Sequence, residues 1–134
     1  MQDAGSPGIV LVSHSAAIAE GLALLAGEVA GDSVRIIPAG GGPENTLGTD
    51  GGRVAEAIAS ADAGAGVVVL VDLGSAVLSV RAALADGLPA GVNAVLADAP
   101  LVEGAVAAAV TASIGGDMDA VRAAAEEAWS VRKL

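Results

Sequence analysis

The chain has 134 residues, a formal net charge of −10, one histidine, one tryptophan and no cysteine. This length predicts one domain. The negative net charge, together with the lack of Phe and Tyr side chains that could stack on bases, argues against a nucleic-acid partner. Missing cysteines exclude disulfides and thiolate metal sites, and one histidine cannot form a multi-histidine site, so we expect no bound metal.

The first half of the chain alternates between short apolar runs and Ala-rich helical spacing. Residues 8–12 form a continuous apolar run that is typical of a buried strand. Residues 34–37 predict a second strand that ends at Pro38, and the Gly-rich segment 39–52 predicts a loop. Between these strands, the helical period predicts a helix that ends near Gly31, with an inward stripe of Ile18, Leu22, Leu25 and Val29.

The second half continues the same alternation and ends in two helices. Asp117 is a predicted N-cap for the last helix. The third helix is expected to turn Val77, Val80 and Leu84 inward. The predicted strands are 67–71 and 92–96, and the predicted helices are 54–61, 75–86, 101–114 and 117–132.

Strands that alternate with helices predict an α/β fold with a parallel sheet covered on both faces. Right-handed crossovers favour an open, doubly wound, mainly parallel sheet of four strands. We expect the strand order 2-1-3-4, with helices on both faces.

No segment has the pattern of a membrane span or a secretory signal. The longest apolar runs, 67–71 and 105–114, are shorter than the roughly 18 residues that cross a bilayer. The first residues lack a basic region followed by an apolar run. We therefore expect a cytoplasmic protein, with residues 1–7 as a flexible tail and residues 8–134 as a single domain.

Ligands of open parallel sheets bind outside the carboxyl ends of the strands, at the switch point in strand order. The only histidine, His14, lies directly after the first predicted strand and before a helix. Neutral imidazole is a good nucleophile near pH 7, and the amides at a helix N-terminus attract phosphoryl oxygens. Ser13 and Ser15 add hydroxyl groups beside it.

A carboxylate is needed to hold the other ring nitrogen of such a histidine as N–H. Asp72 follows the third strand, which neighbours the first in the predicted order, so it is the best candidate. Taken alone, Asp72 could equally be a helix N-cap, and His14 could be a half-buried polar residue at a strand end. Trp129 is most simply a packing anchor of the last helix.

The Gly-rich segments match no nucleotide-binding fingerprint. Residues 40–45 end in Asn where the GxGxxG pattern requires Gly. Five residues separate Gly42 from Gly48, and Thr49 stands where a P-loop requires Lys.

Several motifs in order resemble one known family. They are VLVSHS at 10–15 with IAEG at 18–21, GTD at 48–50, VDLGSAVLS at 71–79, APLVEGA at 99–105 and GDMD at 116–119. This combination resembles the phosphotransfer subunits of dihydroxyacetone kinases that depend on the sugar phosphotransferase system (PTS). Their domain is similar to the mannose-type enzyme IIA, and the likeness covers about residues 8–128.

The resemblance implies a phosphohistidine carrier. The phosphoacceptor of the family falls on His14 and its orienting aspartate on Asp72. Neighbouring positions of the phosphate site fall on Ser15, Gly48, Thr49, Gly74 and Ser75. Nε2 of His14 would attack the phosphoryl group while Asp72 holds Nδ1–H, and amides of the His14 and Gly74 turns would stabilise the charge.

The resemblance also implies partners. The small phosphocarrier HPr would be the donor, and ADP held on the nucleotide subunit DhaL would be the acceptor. The resulting ATP would phosphorylate dihydroxyacetone on the DhaK subunit. This chain itself would bind no cofactor, because ADP, ATP and Mg²⁺ belong to DhaL, and it is expected to form a homodimer.

The residues also allow two other interpretations of the function. The chain could be a PTS-linked regulatory or ligand-binding α/β module in which His14 binds without covalent chemistry. A histidine phosphatase or mutase is the other, but such enzymes usually clamp phosphate with arginines, and no arginine lies beside His14 in the sequence.

Overall fold

A computed structural model describes residues 5–86 and 88–134 and shows strands alternating with helices. The strands are β1 (Gly8–Ser13), β2 (Ile36–Gly40), β3 (Val67–Val71) and β4 (Ala94–Leu96). The helices are α1 (Ala16–Ala30), α2 (Gly51–Ala61), α3 (Gly74–Asp86), α4 (Leu101–Ser113) and α5 (Met118–Glu127). Single 3-10 turns lie at Pro43–Asn45 and Ala128–Ser130.

The four strands form one sheet in the order β2-β1-β3-β4, and all three pairings are parallel. Side chains of a strand alternate between faces, so Ile9 and Leu11 pack under α1, α4 and α5, whereas Val10 and Val12 pack under α2 and α3. Both faces are covered, which explains why β1 is apolar without alternation. The predicted α/β class, strand order and two-sided helix layers are confirmed.

The expected end of the second strand was wrong. Pro38 does not end β2 but lies within it, opposite Leu11 of β1. Because β2 is an edge strand, a residue without an N–H group is tolerated there. Gly40 then permits a close approach to α1, since a Cβ at this position would lie 2.7 Å from the carbonyl oxygen of Ser15.

The expected inward stripe of α1 was also wrong in three of its four members. Leu22 is buried, but Ile18, Leu25 and Val29 are about half exposed. The buried face consists of Leu22 with Ala19 and Ala26. Alanine lets the helix backbone lie close to the sheet, so the larger side chains on its flank stay outside.

The same pattern appears in α3, where Ala76, Val80 and Ala83 are buried. Of the expected inward residues only Val80 is fully buried, and Val77 and Leu84 are partly exposed. Both helices therefore contact the sheet mainly through small side chains.

The ends of the remaining elements differ little from expectation. β4 begins at Ala94 rather than at residue 92, and α5 ends at Glu127 rather than at residue 132. Asp117 caps α5 as predicted, because its carboxylate accepts from the amide of Ala120 at 2.9 Å.

The predicted tail covers residues 1–7, of which 1–4 lie outside the described residues. The amide of Gly5 donates to the carbonyl of Ala63 at 3.3 Å, and Pro7 is buried. Gly5 therefore lies against the segment that connects α2 with β3. Among the helices described, none is both long and apolar enough to pass through a membrane.

Candidate phosphoryl-transfer site

The sheet brings His14 and Asp72 together at the carboxyl ends of its two central strands. His14 follows β1, Asp72 follows β3, and Val12 pairs with Val71 at the ends of these strands. The ladder extends one step further, because the amide of Asp72 donates to the carbonyl of Val12 at 3.0 Å. β2 and β3 lie on opposite sides of β1, so the strand order reverses direction between β1 and β3. The carboxyl ends of these two strands are therefore the switch point of the sheet, where ligands of open parallel sheets bind.

The ring of His14 is fixed by the carboxylate of Asp72. Its Nδ1 lies 2.9 Å from Oδ1 of Asp72. A carboxylate accepts hydrogen bonds and donates none, so in the neutral ring Nδ1 carries the proton and Nε2 keeps its lone pair. About a quarter of the His14 side chain is exposed (26%), which leaves the ring accessible at the surface.

The carboxylate of Asp72 is held by four hydrogen bonds. Oδ2 accepts from the amide of His14 and the hydroxyl of Ser13, both at 2.9 Å, and Oδ1 accepts from the amide of Leu73 at 2.8 Å in addition to the ring. Burial alone would raise the pKa of Asp72. The hydrogen bonds from His14, Ser13 and Leu73 outweigh this and hold the pKa below its ordinary value. The group is therefore a stable anion beside the ring.

Ser75 contacts the opposite side of the ring. Its Oγ lies 2.8 Å from Nε2 of His14. In the neutral ring Nε2 has no proton, so the hydroxyl of Ser75 donates to it. Ser75 is the second residue of α3, so the first turn of that helix meets the nitrogen that keeps its lone pair.

The loop after β2 closes over the backbone of His14. The amide of Gly48 donates to the carbonyl of His14 at 2.9 Å, and Gly48 has φ +139°, a conformation that favours glycine. The guanidinium of Arg53 donates to the carbonyl of Gly40 at 3.0 Å, which ties the start of α2 to the end of β2. These bonds fix the position of the histidine main chain.

Not every amide near the ring is available to a phosphoryl group. We expected amides of the His14 turn to stabilise charge, but the amide of His14 is engaged by Asp72, and the amide of Ser15 donates to Oγ of Ser13 at 3.0 Å. Within the described part of the chain, the amides of Gly74 and Ser75 have no acceptor. Because Ser75 also contacts Nε2, these amides and the dipole of α3 can meet an anion there.

The predicted phosphate-site neighbours divide into two groups. Gly48 and Ser75 contact His14, and Gly74 begins α3 beside them. Ser15 instead caps α1, accepting from the amide of Ile18 at 3.3 Å, and Oγ1 of Thr49 lies 2.5 Å from Oγ of Ser79. Those two residues hold neighbouring helices rather than the ring.

Sequence reasoning did not find the role of Ser13. This residue is fully buried, donates to Asp72 and accepts from the amide of Ser15. A single hydroxyl at the end of an otherwise apolar buried strand was the signal in the sequence, because a buried polar group needs hydrogen-bond partners.

In the ranges that the structure describes, no three His, Asp or Glu side chains lie close enough together to hold a metal ion. The arrangement at His14 suits a nucleophile, because an anion lies behind the ring and a hydroxyl and free amides lie in front of it. It can form a covalent bond through Nε2.

Comparisons with known proteins agree with the resemblance in the sequence. The family model of the PTS system fructose IIA component (EIIA-man) matches residues 8–122. A curated relative from Listeria innocua, "PEP-dependent dihydroxyacetone kinase 2, phosphoryl donor subunit DhaM", is 40% identical over 115 residues, which are 84% of this chain and 91% of that protein.

Relatives from Pantoea ananatis and Escherichia coli, both named phosphoryl donor subunit DhaM, are 44% identical and are matched over 84% of this chain. The match spans only 25% of the length of each of these two proteins. A solved crystal structure of a protein of unknown function is 36% identical with a TM-score of 0.80 and covers 91% of this chain and 94% of that one. A sigma-54 interaction domain protein from Enterococcus faecalis shares the fold, with a TM-score of 0.67 at 14% identity, covering 96% of this chain and 93% of that one. The chain therefore belongs to the EIIA-man family of fructose IIA components of the PTS, and to the DhaM phosphoryl donor subunits within it.

Proposed function

We propose that His14 carries a phosphoryl group from phospho-HPr to ADP bound on the DhaL subunit, which supports the phosphorylation of dihydroxyacetone on DhaK. One observation carries this proposal. In the neutral ring, the partly exposed His14 keeps a lone pair on Nε2, because its Nδ1–H is held by the ionised carboxylate of Asp72 at 2.9 Å. The names of the relatives support the same role, since they are phosphoryl donor subunits.

In the loading step, the lone pair of Nε2 forms a bond to phosphorus while the nitrogen–phosphorus bond of the donor breaks. The electron pair of the broken bond stays on the donor nitrogen. Positive charge that develops on the ring of His14 is stabilised by Asp72 across Nδ1–H. The hydroxyl of Ser75 leaves Nε2 and can donate to a phosphoryl oxygen.

The discharge step reverses the bonding at His14. A terminal phosphate oxygen of ADP attacks phosphorus, the nitrogen–phosphorus bond breaks, and its electron pair returns to Nε2. Positioning and charge stabilisation carry both transfers. This chain supplies the histidine that carries the phosphoryl group and the residues around it. The acceptor subunit binds ADP or ATP together with Mg²⁺.

A homodimer and a cytoplasmic location belong to the same proposal. The half-exposed side chains of Ile18, Leu25 and Val29 on one flank of α1 support self-association. They carry no charge, so two copies of this strongly acidic chain could meet there without bringing like charges together. Light scattering of wild type and Leu25→Arg would test this: the variant should have half the mass of the wild type.

The experiment that tests the carrier role is incubation with phosphoenolpyruvate, enzyme I and HPr. The wild-type chain should gain one acid-labile phosphate, and His14→Ala should gain none. An unlabelled wild type, or undiminished label on His14→Ala, would contradict the proposal.

A further inference from the structure

A groove of about 720 Å³ opens beside the histidine site, between α3 and the 3-10 turn that follows α5. Its end near the site is lined by Asp72, which orients the ring, by Leu73 and by Gly74, which begins α3. Further along, the side chains of Arg81, Arg122 and Trp129 line it. The phosphoryl-transfer steps at Nε2 involve only the Asp72 end of this groove.

Trp129 is the only aromatic residue of the chain, and it does not anchor the last helix in the core. Its side chain is 63% exposed. Its Nε1 donates to the carbonyl of Asp98 at 2.9 Å, so the ring is held at the groove while its surface stays open. A fixed, exposed tryptophan on a groove is typical of a binding surface, because Trp is enriched among residues that dominate binding energy.

The two arginines of the groove differ in their surroundings. Nε of Arg122 lies 3.5 Å from Oε2 of Glu126, and the same Glu126 oxygen accepts from the amide of Asp98. Arg81 is exposed, and it makes no ion pair or side-chain hydrogen bond within the described ranges. In a chain of net charge −10, Arg81 is therefore a cation of this groove that is available to an anion.

Any protein that exchanges a phosphoryl group with Nε2 must cover this region. A stable interface buries about 800 Å² on each partner, which corresponds to a disc of about 16 Å radius. The groove shares Asp72, Leu73 and Gly74 with the histidine site, so it lies within such a footprint. Arg and Trp side chains inside the footprint are the ones expected to carry binding energy.

The charges of the two partners favour the acceptor. Loading moves one phosphoryl group onto His14, whereas discharge brings the additional charges of a nucleoside diphosphate against the phosphohistidine. A guanidinium offsets such charge and binds phosphate with charge-assisted hydrogen bonds. We propose that this groove docks the phosphoryl acceptor, with Arg81 facing the phosphates of a nucleoside diphosphate held on a partner protein and Trp129 covered by that partner.

This inference rests on the proposed carrier function, and the test separates the two. The rate at which phospho-HPr loads the chain and the rate at which the ADP-bearing acceptor subunit discharges it are measured separately. Arg81→Ala and Trp129→Ala are compared with Arg132→Ala, which removes an exposed charge outside the groove lining. Loading should be slowed less than discharge in Arg81→Ala and Trp129→Ala, because loading brings no nucleotide charge to the groove, and it should stay within about twofold of wild type in Arg132→Ala. Far-UV circular dichroism shows whether all three variants are folded.

Discharge should slow by about tenfold to 100-fold in Arg81→Ala and Trp129→Ala and remain normal in Arg132→Ala. The fluorescence of Trp129, the only tryptophan, should also change when the acceptor subunit is added to wild type. If both groove variants discharge as fast as wild type, or if loading and discharge slow equally, the docking proposal is overturned while the carrier function stands. A wild type that cannot be loaded would overturn the carrier function itself.

Discussion

The hydroxyl of Ser75 lies 2.8 Å from Nε2 of His14, the nitrogen that keeps its lone pair. The resting site therefore places a hydrogen-bond donor where a phosphoryl group would bond. The same hydroxyl can turn to a phosphoryl oxygen once the nitrogen–phosphorus bond forms.

Replacing this donor should slow phosphoryl transfer. Ser75→Ala is expected to reduce the rate of loading by about tenfold to 100-fold, because one donor to the developing charge is lost. The matched control is Ser79→Ala, which removes the contact with Thr49 but none with the ring. Rapid-quench measurement of phosphohistidine formation gives both rates, and equal loading by Ser75→Ala and wild type would show that the hydroxyl has no part in transfer.

Asp72 is expected to act through the ring rather than on the phosphoryl group. Asp72→Asn should slow transfer by about 100-fold or more, since the amide no longer stabilises the charged ring or enforces Nδ1–H. Far-UV circular dichroism should remain that of the wild type. A normal transfer rate in the folded variant would mean that another group orients His14.

The lowered pKa of Asp72 makes stability depend on pH in a definite direction. A carboxylate whose pKa is lower in the folded chain contributes stability above its unfolded pKa, and this contribution is lost as pH falls through the folded value. The free energy of unfolding of wild type relative to Asp72→Asn should therefore decrease as the pH falls below about 4. Urea titrations at several pH values measure it, and a difference that grows on acidification would contradict the assignment.

Ser13 should matter for stability as well as for the site. Ser13→Ala removes one of the two donors to Oδ2 of Asp72 and leaves the amide of Ser15 without its partner, which is expected to cost about 1–3 kcal/mol. The exposed Ser33→Ala is the matched control and should cost almost nothing. Denaturant unfolding gives both values, and equal midpoints for the two variants would remove Ser13 from the network.

The pairing of His14 with Asp72 was predictable because it follows from topology. Each residue comes directly after an apolar strand, and strands one and three are neighbours in the order 2-1-3-4. Parallel strands end at the same edge of the sheet, so spacing in sequence was enough to place both side chains together.

What could not be predicted depends on packing distances and side-chain directions. Large residues at helical spacing suggested the wrong face of α1, since Ala19 and Ala26 allow closer contact with the sheet than Leu25 or Val29 would. Likewise, the exposure of Trp129 follows from the 3-10 turn that ends α5, which no local pattern indicated.

The most direct test of the carrier role is the ³¹P NMR spectrum of the chain after loading from phosphoenolpyruvate, enzyme I and HPr. One phosphohistidine signal with the chemical shift of an Nε2 adduct is expected, absent in His14→Ala and lost when the ADP-bearing acceptor subunit is added. A signal from an Nδ1 adduct, or no phosphohistidine on the wild-type chain, would contradict the account.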